Sequence, residues 1–191
     1  MPAGPPILAA VGDPKAGVTS ATYGHERNTL IGGLNQPNPP TESWTDLFRE
    51  HRLLYMANVV HEAGRLPAED LLRVERLSEK LDELIEEPNP PGLIHGDVWS
   101  ANVLARGDRI TAFLDPAIYY ADPEIELAFI SLFDSFGRPF LDRYQEIRPI
   151  RDGFFEVRRD LYNLYPLLVH TYYFGGGYLG SVRNTLDRFS V

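Results

Sequence analysis

Four polar residues stand in one aliphatic stretch, LIHGDVWSANVLARGDRITAFLDPA (93–117): His95, Asp97, Asn102 and Asp115. An unpaired carboxylate or amide is costly to desolvate among buried strands, so a compensating role is implied for them. A carboxylate such as Asp97 can accept the proton of a hydroxyl and aim its oxygen at a partner. The amide oxygen of Asn102 and the carboxylate of Asp115 are hard donors of the kind Mg2+ prefers. That ion takes few protein ligands and fills its octahedron with water and phosphate oxygens.

The spacing is as informative as the residue types. His95-x-Asp97 followed by four residues and Asn102 is the H-x-D-x-x-x-x-N pattern of phosphoryl-transfer catalytic loops, where the aspartate accepts the acceptor hydroxyl's proton and the asparagine binds magnesium. Asp115, at the end of the strand after a turn at Arg106-Gly107-Asp108, adds a second metal donor at the same end of a small hairpin. His95 is read as holding the loop backbone and as doing no chemistry itself. Gly175-Gly176-Gly177 is not followed by Lys-Ser or Lys-Thr, so it is read as a helix stop and not as a phosphate cradle.

These residues need a scaffold, and the composition allows one. The chain has 191 residues, 43% hydrophobic and 24% charged, enough for one domain with a core. A formal net charge of −9 argues against a nucleic-acid partner, because no basic face can displace counterions from a phosphate backbone. The absence of cysteine excludes disulfides, thiolate metal sites and cysteine nucleophiles. No apolar run approaches the roughly 20 residues of a membrane span, and the first residues lack the pattern of a signal peptide, so a cytoplasmic location is expected.

Residues 1–22, rich in Pro, Gly and Ala, are read as a loosely ordered arm preceding one domain over 23–191. Ser43 is an N-cap candidate for a helix carrying Trp44, Leu47, Phe48, His51, Leu54 and Tyr55, with Gly64 as its stop. A second helix is expected from Pro67 to Glu86, ended by PNPPG (88–92), with Glu79–Glu87 on a solvated face. The hairpin pairs Asn102-Val103-Leu104 with Ile110–Leu114. Asp122-Pro123 opens a further helix through Phe133, and others are expected over 138–147, 155–174 and 177–189. The fold class is therefore α+β and mainly helical, around one short hairpin. Tyr119-Tyr120 and Tyr172-Tyr173-Phe174 are assigned to packing, Trp99 equally to a pocket or to the core, and His170 to a hydrogen-bonded buried position.

HGDVWSAN (95–102), LDPAIYYADPEIELA (114–128) and LVHTYYFGGGYLG (168–180) together resemble the fructosamine kinase (ketosamine 3-kinase) family, a relative of aminoglycoside and choline kinases. YGHERNTLIGGLNQPN (23–38) and SWTDLFREHRL (43–53) extend the likeness over about 23–189. Trp99-Ser100 and Pro116-Ala117 favour ketosamine kinases over their aminoglycoside relatives. The resemblance implies the C-terminal lobe of a protein kinase-like fold, ATP and Mg2+ as cofactors, Asp97 as catalytic base, and Asn102 and Asp115 as metal and nucleotide ligands. It also implies Trp99 in the sugar pocket and His170 closing it. The implied reaction moves the ATP γ-phosphate to the 3-hydroxyl of a sugar on a lysine amine, whose adduct then falls apart, repairing the glycated protein. Partners are accordingly glycated lysine amines of proteins or free ketosamines, with no nucleic acid and no membrane. Asn28 and Gln36 match the family without a derivable role.

Two departures from the family pattern stand out. Glu126 is one methylene longer than the aspartate that buttresses the catalytic loop in relatives, which leaves the loop's rigidity open. Nothing in residues 1–22 supplies the family's N-terminal lobe with its glycine-rich loop and lysine, so the chain is read as a C-terminal lobe alone. That reading implies self-association through the face such a lobe would cover. A non-catalytic relic of the same fold, or an aminoglycoside- or choline-type kinase, is the alternative.

Overall fold

The computed structural model describes residues 20–88 and 90–191. Most of the arm read over 1–22 lies outside the described residues. A two-stranded hairpin opens the described part, β1 (Thr29–Ile31) against β2 (Leu34–Gln36). The sequence reading passed over it, although a Gly-Gly pair between short strands is a hairpin signal. Gly32 and Gly33 sit at φ 56 and 94, a conformation glycine tolerates without a Cβ clash.

Ser43 caps the first helix as expected, its hydroxyl accepting the Asp46 N–H. Helix α1 (Trp44–Phe48) runs through a π-helical segment, Arg49–Leu54, into α2 (Tyr55–Glu62), and Gly64 follows at φ 70. The second helix is shorter than expected: α3 (Ala68–Ser78) breaks at Glu79-Lys80 before the single turn α4 (Leu81–Leu84). Glu87, read as part of a solvated face, instead takes the Ser43 hydroxyl and the N–H groups of Trp44 and Thr45 on its carboxylate at 2.5–2.9 Å. Those N–H groups at the start of α1 have no partner within the helix, and an anion there also meets the positive end of the helix dipole.

Strand β3 (Gly92–Ile94) pairs antiparallel with β6 (Tyr119–Ala121), and the β4–β5 hairpin (Val103–Arg106 with Arg109–Phe113) is inserted between them. This insertion positions the site. The segment leaving β3 carries His95-Gly96-Asp97 and the segment entering β6 carries Asp115-Pro116-Ala117. The ladder lays the two side by side, with the Ala117 N–H donating to the His95 carbonyl at 2.8 Å. The expected hairpin is present, with a turn at Gly107-Asp108.

The remaining elements are α5 (Glu124–Leu132), α6 (Arg138–Ile147), α7 (Arg159–Phe174), entered through a π-helical segment at Phe154–Arg158, and α8 (Gly176–Arg188). Fully buried Trp44, Phe48, Leu164 and Leu168 lie in one core joining α1 and α7. Asp122, read as an N-cap, does accept the Glu124 N–H, but it is also fully buried, with Tyr162 donating at 2.7 Å and Arg151 in an ion pair. Tyr162 in turn accepts from the Trp44 indole at 2.9 Å. Next to it, Arg158 pairs with Glu124 at 2.6 Å, with both side chains over nine-tenths buried.

Removing one partner of a buried ion pair leaves the other charge stranded in low dielectric, whereas an exposed pair loses little to solvent. Arg158→Met is therefore expected to cost about 3 kcal/mol in urea unfolding, moderated by the remaining Arg151–Glu124 pair. Arg188→Met, which breaks the solvent-exposed pair with Asp160, should cost less than about 1 kcal/mol.

Candidate active site

The His95–Asn102 loop is held from below by one carboxylate. Glu126, on the first turns of α5 and 2% exposed, accepts the N–H of Gly96 at 2.7 Å and of His95 at 3.2 Å. Gly96 sits at φ 83, and a Cβ there would lie 2.3 Å from the Ala117 carbonyl oxygen, so only glycine fits. The extra methylene of Glu126 does not leave the loop loose: two hydrogen bonds bridge α5 to the loop backbone. Burial raises Glu126 to about 8, against the pull of those two N–H groups, with the Asp97 charge adding to the rise.

His95 Nδ1 accepts the Asp97 N–H at 3.3 Å, which places the ring proton on Nε2, and burial keeps the ring neutral by lowering its pKa. The histidine thus orders the backbone, as its sequence context suggested. The Asp97 side chain is gripped from the far end of the loop, where Asn102 Nδ2 donates to its Oδ2 at 2.9 Å and to its carbonyl at 3.0 Å. Burial raises Asp97 to about 6; the Asn102 hydrogen bond opposes this and the negative charge of Asp115 adds to it.

Asp115 is exposed and sits at φ 52, left-handed backbone that costs an L-residue roughly 1–2 kcal/mol. No hydrogen bond or salt bridge among the described residues holds its carboxylate. Asn102 spends both hydrogen bonds from Nδ2, leaving Oδ1 as an available acceptor. One carboxylate and one amide oxygen, flanking Asp97, are a donor set that fits Mg2+ completed by phosphate and water.

On the other side of Asp97 a cavity of about 300 Å3 opens between the loop, α5, α7 and the β1–β2 turn. Trp99 and His170 both line it together with Asp97 and Glu126. Trp99 is 37% exposed, so it belongs to this wall and not to the core. His170 Nδ1 donates to the Pro166 carbonyl one turn back at 2.7 Å, and burial lowers its pKa, favouring a neutral ring whose Nε2 is left as an acceptor. The structure therefore brings Asp97, Asn102 and Asp115 to one end of the β3–β6 ladder and groups Asp97, Trp99 and His170 around one cavity.

Several contributors were not read from the sequence. Phe129 and Phe133 on α5 and Tyr173 and Phe174 on α7 line the cavity, and the Tyr173 hydroxyl donates to the Gly32 carbonyl, tying the β1–β2 turn over it. The i, i+3 and i+4 spacing of Val169, His170, Tyr173 and Phe174 was the available signal. Gln36, left without a role, is fully buried: its Nε2 donates to Thr29 Oγ1 at 2.7 Å and to the Ala117 carbonyl at 3.1 Å, and its Oε1 accepts from Tyr165 at 2.8 Å. It braces the Asp115–Ala117 segment. Asn28 Oδ1 accepts the Asn38 N–H at 3.1 Å, closing the β1–β2 segment.

Comparison with known proteins agrees with this geometry. The fructosamine kinase family model matches residues 9–190. A "probable ketoamine kinase" of Synechocystis is 41% identical over 173 residues, covering 88% of this chain and 56% of the relative. A "protein-ribulosamine 3-kinase, chloroplastic" of Oryza sativa subsp. indica is 35% identical over 177 residues, covering 92% and 51%. The chain thus spans about half the length of the curated relatives it matches. Among solved structures, a "putative fructosamine-3-kinase" from Thermobifida fusca superposes with TM-score 0.80 at 31% identity, covering 98% of this chain and 67% of that one. An aminoglycoside phosphotransferase solved with AMP-PNP and hygromycin B shares the fold, with TM-score 0.56 at 18% identity. With the family model matching residues 9–190 and a solved relative superposing over 98% of this chain, the chain belongs to the fructosamine kinase family.

Proposed function

We propose that the chain carries the acceptor- and metal-binding lobe of an ATP-dependent ketosamine kinase, acting on fructosamines or ribulosamines of glycated protein amines or on their free counterparts. The observation that carries this reading is the position of Asp97 between a cavity lined by Trp99 and His170 and the oxygens of Asn102 and Asp115. A sugar hydroxyl in the cavity would meet the Asp97 carboxylate, and the nucleotide would lie on the Asn102–Asp115 side.

Phosphoryl transfer proceeds through a loose transition state, so the protein's task is alignment and charge placement. Asp97 accepts the hydroxyl proton and fixes its oxygen, and Asn102 fixes Asp97. Glu126 and His95 hold the backbone that carries Asp97. Trp99 packs against the sugar, while His170 Nε2 offers an acceptor to one of its hydroxyls. Asn102 Oδ1 and the Asp115 carboxylate are the residues that would hold Mg2+, which would supply positive charge beside the transferred phosphate. The 3-phosphate of the product ketosamine is a leaving group: its elimination as inorganic phosphate leaves an unsaturated sugar amine, and hydrolysis of that by water frees the amine and a 3-deoxy dicarbonyl sugar, which makes the reaction a repair of glycated protein.

Phosphorylation of a fructosyl-amine by this chain with Mg-ATP should be detectable and should vanish in Asp97→Ala. Silent calorimetry with millimolar Mg-ATP, and no phosphate transfer, would assign the chain to a non-catalytic binding role instead. Aminoglycoside and choline acceptors in the same assay are expected to remain unphosphorylated.

The raised pKa of Asp97 fixes two pH dependences. As a base it must be ionised, so kcat/KM should climb with pH through about 6 and then level off. The same shift affects stability with the opposite sign. A carboxyl whose folded pKa lies above its unfolded value of 3.8 binds its proton more tightly when folded, so its contribution is full below about 4 and is lost as pH rises through about 6. Asp97→Asn removes this loss, so denaturation curves should show the variant gaining stability relative to the parent between pH 4 and pH 7.

A further inference from the structure

The cavity beside Asp97 has an unusual balance of surfaces. Its long wall is a chain of rings in contact: Trp99 and Phe133 with centroids 6.0 Å apart, Phe133 and His170 at 5.1 Å, His170 and Phe174 at 5.8 Å. Facing this wall are two carboxylates, Asp97 and Glu126. Among the described residues no lysine or arginine lines it, and His170, with Nδ1–H committed to Pro166, is held neutral by burial. The nearest described arginine in the core, Arg52, is turned away, stacked on Tyr119 at 3.9 Å and bonded to Asn38 and to the Pro37 carbonyl.

A sugar alone does not account for this arrangement. A sugar can stack its C–H face on one ring, as proposed for Trp99, and meets polar groups with its hydroxyls, whereas this wall offers four rings in series. Aromatic faces carry negative quadrupole potential and attract cations, most strongly where solvent is excluded. The Asp97 carboxylate across a narrow space adds to that potential, with no lysine or arginine in the cavity lining to offset its charge.

We infer that the cavity recognises its ligand through a protonated amine, seated between the Trp99–Phe133–His170–Phe174 wall and the Asp97 carboxylate. Within the ketosamine reading, on which this inference rests, the group is the secondary ammonium that links sugar to amine. The charge is then the chemical signature that separates a glycated amine from a free or ether-linked ketose of the same shape. Trp99 and Phe174, 37% and 69% exposed, stand at the rim, where the alkyl arm of the amine would leave.

Calorimetric titration of the chain at pH 7 with N-fructosyl-n-butylamine and with 1-O-butylfructose, its neutral near-isostere, separates the two sources of affinity. The amine is expected to bind at least tenfold tighter than the ether, and Trp99→Leu, which keeps an apolar side chain at a partly exposed position, should remove most of that ratio. Equal affinity of the two ligands for the parent chain would overturn the inference while leaving the ketosamine reading intact. So would a ratio undiminished in Trp99→Leu. Failure of both ligands to bind would remove the ketosamine reading together with the inference.

Discussion

One carboxylate reaching up from a helix fixes everything that happens at this site. Glu126 projects from α5 into the turn after β3 and takes two consecutive backbone N–H groups, those of His95 and Gly96. Neither N–H has a strand partner, because the chain must leave the β3–β6 ladder there in order to present Asp97. Buried N–H groups without acceptors are expensive, so the loop keeps this conformation only while the carboxylate is beneath it. Glycine at 96 is the second half of the same constraint: its positive φ turns both N–H groups to one side and lets the Ala117 carbonyl approach where a Cβ would collide.

From that anchor the remaining parts follow in short steps. The ladder that ends at Ile94 and begins again at Tyr119 sets the Asp97 and Asp115 segments side by side, and the inserted β4–β5 hairpin starts at Asn102. Asn102 can therefore donate to Asp97 while leaving its own oxygen free. Gln36 reaches across from β2 to the Ala117 carbonyl and to Tyr165, tying the second segment to α7. Helix α7 contributes His170, Tyr173 and Phe174 to the cavity, and Tyr173 fastens the β1–β2 turn over it. The cavity and the Asn102–Asp115 oxygens are thus two sides of one braced loop.

Much of this was legible in the sequence, for reasons that differ by element. The H-x-D-x-x-x-x-N spacing and the Gly107-Asp108 turn are local, so they located the loop and its hairpin. Helix boundaries with local caps, Ser43 and the Gly175–Gly177 run, came out close to their observed places. What failed depends on distant partners. The break at Glu79-Lys80 divides an otherwise amphipathic pattern, and Glu87 looked like surface charge because its partners lie more than 40 residues earlier, at Ser43–Thr45. The β1–β2 hairpin was missed because its strands are only three residues each. Buried Gln36 carried no local signal, since its bonds run to residues 81 and 129 positions away. Glu126 was noticed as a departure by one methylene, but whether that length closed or opened the contact depended on the position of α5.

The account's central claim is that Glu126 holds the His95–Asn102 loop through two backbone bonds. Amide hydrogen exchange in the parent and in Glu126→Ala tests it directly. The prediction is that the His95 and Gly96 amides are protected in the parent and exchange much faster in the variant, while the amides of α7 keep their rates. Unchanged protection at His95 and Gly96 in the variant, or acceleration spread evenly through α7, would contradict it.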